Sequence, residues 1–126
     1  MKWLIILWLL LGVASASEHD KKEHHLSKDL SYLELSEPQQ ESAKGIIKTY
    51  RHDLKQYRDF KEGIEKQKEQ LFSENTLNEE ALLRLQTSIY QKANAVENRF
   101  LLQMHQLLTP KQREKFAHNL EEWEVE

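Results

Sequence analysis

Two apolar seams decide what this chain can become. Ala43, Ile47, Tyr50, Leu54, Tyr57, Lys61, Ile64, Lys68 and Leu71 follow one another in alternating steps of four and three. That spacing keeps side chains on one face of an α-helix. The seam lapses only at Lys61 and Lys68. Leu82, Leu85, Ile89, Ala93, Val96, Phe100, Met104 and Leu107 form a second seam with no polar member. A helix carrying the first seam runs to about 35 residues and, at 1.5 Å per residue, roughly 50 Å, too long for a compact globule of this size. Ser73-Glu74-Asn75 reads as the turn between the two, and so short a connection makes long helices antiparallel neighbours.

The helix ends are written just as plainly. Leu35-Ser36-Glu37-Pro38-Gln39 opens the first long helix and Leu108-Thr109-Pro110-Lys111-Gln112 opens a last one. Ser36 with Gln39, and Thr109 with Gln112, have the spacing of a capping box, in which each side chain takes up a backbone N–H left unpaired by the helix start. Pro38 and Pro110 fall in first turns, where no N–H donor is needed. Thr76 and Glu79 predict a third box at the start of the second long helix. Leu26, Leu30 and Leu33 predict a short helix over 26–33, and Phe116, Leu120 and Trp123 share a face of the last helix. No segment reads as a strand. The expected fold is all-α: a long antiparallel helical hairpin with a short helix at each side, four in all, hooked. One seam per helix leaves much of the hairpin uncovered, so a homodimer is expected.

The domain begins only after a leader. Lys2 precedes an apolar run from Trp3 to Val13, and Ala14-Ser15-Ala16 is a small-residue cleavage site. These are the parts of a secretory signal peptide over 1–16, cut after Ala16; the run is shorter than the ~20 residues of a membrane-spanning helix. Residues 17–25 are polar, hold His19, His24 and His25, and read as a flexible tail ahead of a domain over 26–126. The chain has no cysteine, so an exported product has neither a disulfide framework nor a thiolate nucleophile. Short, cysteine-free and exported, it suits a bacterial periplasm.

The two Leu-Ser/Thr-x-x-Gln motifs bracketing a helical hairpin, behind a signal peptide, resemble the LTxxQ motifs of the Spy/CpxP family of periplasmic stress proteins. Ser36 stands where the family's first motif has threonine. The resemblance covers residues 26 to 120 and implies an all-α, non-enzymatic periplasmic protein, often dimeric. It implies two functional branches. One holds sensors and regulators of heavy-metal and envelope stress, which signal to a membrane-bound partner. The other holds ATP-independent chaperones of unfolded envelope proteins. The short length is more similar to the sensors, and that branch is the first expectation.

No cofactor is required by either branch, but a divalent transition metal (Zn, Cu, Ni or Co) goes with the sensors. The metal residues of that branch carry over in part. His25 and Asp29 stand one turn apart where the pattern has two histidines, and Met104 matches its methionine. Phe100 replaces an expected histidine, so a rebuilt site would draw on His24 and His105 as well. Imidazole suits these ions.

A second candidate site is a charge row. Lys44, Lys48, Arg51, Lys55 and Arg58 recur beside the first seam, and Glu62, Glu65 and Glu69 continue it. Edged by Tyr50, Tyr57 and Phe60, the basic stretch is a candidate surface for anionic or amphipathic clients. The full chain carries a net charge of −3, and an exported acidic protein argues against nucleic acid. With no cysteine, no phosphate-binding glycine loop and no Ser/His/Asp set that a hairpin gathers into a pocket, an enzyme is not expected.

Overall fold

The computed structural model describes residues 30–126. The expected signal peptide, the histidine tail and the start of the short helix over 26–33 lie outside them, with His24, His25 and Asp29. The chain divides into two units, Met1–Leu35 and Ser36–Glu126. In the first, the described residues form a 3-10 turn, Ser31–Leu33, with Leu30 and Leu33 buried. The turn closes at Glu34, whose φ of 52° lies in the left-handed region and whose N–H donates to the Ser31 carbonyl.

The second unit holds three α-helices. We label them α1 (Glu37–Ser73), α2 (Glu79–Leu107) and α3 (Pro110–Ala117). A 3-10 turn, Leu120–Trp123, follows, and no strand occurs among the described residues. The hairpin of α1 and α2 follows the two seams. Ala43, Tyr50, Tyr57 and Ile64 are buried from α1, and Ala93, Val96, Phe100 and Met104 from α2.

Two expectations about the ends need correction. Asn78, not Thr76, caps α2: its side chain accepts the N–H of Ala81 at 3.1 Å. Thr76 and Glu79 form no box, because Asn is as strong a cap as Thr and sits two residues nearer the first buried turn. The connection therefore runs from Glu74 to Asn78 rather than ending at Asn75. The last helix is also shorter than expected. It stops at Ala117, and the Asn119 N–H turns back to the Phe116 carbonyl at 3.0 Å. This break shifts the phase, so Phe116 and Trp123 are buried while Leu120 is 42% exposed.

The other two caps form as expected and do more than cap. Ser36 Oγ accepts the Gln39 N–H at 3.3 Å and Gln39 Oε1 accepts the Ser36 N–H at 2.9 Å. Thr109 and Gln112 repeat this at 3.3 and 3.0 Å. The two glutamines then meet. Gln39 Nε2 donates to Gln112 Oε1 at 2.8 Å, and Gln112 Nε2 donates back to Gln39 Oε1 at 3.2 Å. Gln39 Nε2 also reaches the Leu107 carbonyl, a group the end of α2 leaves free, at 3.2 Å. The open end of the hairpin is thus clamped by the same side chains that start α1 and α3.

Candidate functional site: an open groove on the distal hairpin

The hairpin is three layers deep at its clamped end and two at its turn. Near the clamp, α3 and the 3-10 turn lay Phe116 and Trp123 over the seam. Trp123 packs tilted against Phe100 at 4.5 Å and meets Tyr50 edge-on at 5.9 Å, while Tyr50 lies 4.5 Å from Phe100. Tyr50 donates its hydroxyl to the Trp123 carbonyl at 3.2 Å. Burial raises the Tyr50 phenol above its usual range, and the nearby Glu97 carboxylate adds to this against the opposing pull of Arg58. The chain then runs extended through Glu124, and the Val125 N–H donates to Glu97 Oε1 at 3.1 Å. There the third layer ends.

Beyond it the same face of the hairpin is an open groove. A cavity of about 610 Å³ is lined by Tyr57, Lys61 and Lys68 from α1, Ile89, Tyr90 and Ala93 from α2, and Val125 and Glu126 at its near end. A second, of about 440 Å³, continues it to Phe72 and Leu77 and shares Glu65, Lys68 and Gln86 with the first. Among the polar residues that line it, the groove carries large apolar side chains in water. Phe72 is 79% exposed, Tyr90 71% and Leu83 63%. Large apolar side chains exposed along one groove suit an interaction surface.

The groove is mixed in charge: Lys61 and Lys68, the two lapses in the first seam, line it together with Glu65, Glu69 and Glu126. Lys68 pairs with Glu65 at 3.5 Å. Lys61, partly buried, makes no ion pair among the described residues.

The sequence-derived candidates fall elsewhere. Lys44, Lys48, Arg51, Lys55 and Arg58 do form an exposed row. Tyr50 and Tyr57 do not edge it: at 6% and 3% exposed they are core residues, because the seam that makes the hairpin claims both rings. Phe60 is exposed but lies on the other flank, two residues and roughly 200° round the helix from Arg58, where Lys92 sits 6.0 Å from its ring. On α2, Arg99 reaches Asp53 of α1 at 3.5 Å.

Of the candidate metal residues, Met104 is wholly buried and committed to packing. His105 is exposed, its carbonyl accepting Arg113 Nε at 2.8 Å. No group of three or more His, Cys, Asp or Glu positioned to hold a metal occurs among the described residues. No helix among them is long and apolar enough to cross a membrane.

No family model matches the chain, and no characterised protein or solved structure does either. The groove is therefore read from its own chemistry. Its signal was present in the sequence: Leu83 and Tyr90 are apolar residues seven apart that stand off the α2 seam, and Lys61 and Lys68 are seam positions filled with charge.

Proposed function

We propose that this chain is a non-enzymatic, exported protein-binding module, and that of the two branches its Spy/CpxP resemblance implies it acts in the one that holds unfolded envelope proteins without ATP. The observation that carries this is the uncovered groove with Phe72, Leu83 and Tyr90 on its rim. A protein that kept such side chains in water with no partner would lose solubility, whereas a binder of non-native chains needs them. The basic row along α1 adds an electrostatic approach for anionic segments. A homodimer belongs to the same reading, since a second copy adds another groove.

The metal-responsive sensor has less to rest on. Met104 is spent in the core, and a site would fall to His24, His25, Asp29 and the exposed His105. The groove reading is tested by the aggregation of a chemically denatured client followed by light scattering. The mature chain is expected to suppress it at near-stoichiometric ratio, and Leu83→Ser with Tyr90→Ser to lose most of that suppression. Equal suppression by the variant, or none by the parent at any ratio, would sink the proposal.

A further inference from the structure

Helix α1 carries a charge row that changes sign at one point. Lys44, Lys48, Arg51, Lys55 and Arg58 give way to Glu62, Glu65 and Glu69 on the same stripe. Arg51, Arg58 and Glu65 recur every seven residues, and so do Lys48, Lys55, Glu62 and Glu69, so two heptad positions carry the row. Every member is exposed except Glu65, which is half-buried.

The chain itself leaves the cationic half unneutralised. Lys44 takes Glu41 at 3.2 Å, but Lys48, Arg51, Lys55 and Arg58 make no ion pair among the described residues. Asp53 is taken by Arg99, and exposed Asp59 stands roughly 60° round the helix from the row. One turn from Lys48 stand Lys44, Gly45, Arg51 and His52; one turn from Arg51 stand Ile47, Lys48, Leu54 and Lys55. A solvated helix face gains from carboxylates at those spacings, and like charges there destabilise it. The acidic half is held only loosely. Glu62 meets Lys66 at 3.9 Å and Glu65 meets Lys68 at 3.5 Å, and a carboxylate has room for a second cation. Glu69 makes no ion pair among the described residues. Lys61, Lys66 and Lys68 flank this half, roughly 60–100° round the helix from its centre.

The row is also mirrored in spacing about position 60. Arg58, Lys55 and Arg51 stand 2, 5 and 9 positions before it; Glu62, Glu65 and Glu69 stand 2, 5 and 9 after it. An antiparallel copy of α1 laid along the row, with the twofold axis at that position, sets Arg58 against Glu62, Lys55 against Glu65 and Arg51 against Glu69. Each pair then occurs twice, as a twofold interface requires: residue i meets j, and j meets i. The next step sets Lys48 against Phe72, which is 79% exposed.

We propose that two copies of this chain associate through α1, antiparallel and in this register. The proposal rests on the homodimer of the protein-binding reading and gives it an interface. The paired stretch from Arg51 to Glu69 covers 18 positions, roughly 27 Å of helix. Glu65, Glu69 and Phe72 line the groove, so the second copy brings Lys55, Arg51 and Lys48 to its α1 edge. Lys44 and Lys48, beyond the last carboxylate, keep the row's attraction for anionic segments.

Sedimentation equilibrium of the mature protein tests this. A dimer is expected at about 0.1 M salt, with a dissociation constant about tenfold or more higher at about 1 M, where exposed charges are screened within about 3 Å. Arg51→Glu with Lys55→Glu should weaken self-association by about tenfold or more, and Glu65→Lys with Glu69→Lys should do the same. Mixed together, the two variants should form a heterodimer of near-parental affinity, because the register sets each new glutamate against a new lysine. A parent that stays monomeric, a dimer indifferent to salt and to both pairs of substitutions, or a mixture that fails to associate would overturn the inference. Client aggregation is read separately. Suppression by a monomer removes only the interface, whereas a dimer in this register that suppresses nothing keeps the interface and removes the protein-binding reading.

Discussion

Gln39 and Gln112 illustrate how one side chain serves two levels of structure. Each caps its own helix through Oε1 and clamps the hairpin through Nε2. Glutamate at either position keeps the capping acceptor and loses the amide donor. Gln39→Glu is therefore expected to retain helix α1 by circular dichroism yet lose about 1–3 kcal/mol in urea unfolding, the cost of leaving part-buried acceptors unpaired. Gln39→Ala should lose the cap as well. Tyr50 carries a second prediction. Its folded phenol titrates above its unfolded value of 10.0, so its contribution is complete below that pH and is lost as pH rises through the folded value. Tyr50→Phe should cost about 1 kcal/mol at neutral pH, and its unfolding free energy should decline less than the parent's on the alkaline side.

Among the elements, the seams wrote the hairpin and the caps wrote its ends, with one exception that shows how such signals compete. Thr76-x-x-Glu79 has the better box, but Asn78 has the better position. Once Asn78 accepts the Ala81 N–H, α2 starts at Glu79 and the box has no helix to cap. Asn78→Ala is expected to destabilise by about 1 kcal/mol and Thr76→Ala by a few tenths at most, measured as a pair of denaturation curves. The last helix shows the opposite failure. A helical period joined Phe116, Leu120 and Trp123, yet a turn at His118-Asn119 brings Trp123 onto Phe100 and Tyr50 and leaves Leu120 outside. Burial of the largest side chain outweighed continuation of one helical turn.

Taken as a whole, the second unit is unequal along its length, and its dynamics should follow. Near the clamp the aromatic cluster covers the seam; near the turn Ile64, Leu71, Leu82, Leu85 and Ile89 hold the two helices together without such a cover. Amide exchange is expected to be slowest around Tyr50, Phe100 and Met104 and faster beyond Ile64 and before Ile89. Uniform protection along both helices would contradict a third layer that stops at Val125. What the sequence determined by itself was everything that depends on spacing along one chain: helical class, antiparallel hairpin, two of the three caps. These are set by periods and local hydrogen bonds. Which faces stay open was decided only by tertiary structure, because it depends on where α3 and residues 120–126 come to rest. The same apolar and aromatic residues read alike in sequence; packing put Tyr50, Tyr57 and Met104 inside and left Phe72, Leu83 and Tyr90 in water. Lys61 and Lys68 were visible from the start as two gaps in a seam, and only the tertiary structure shows that both line one groove.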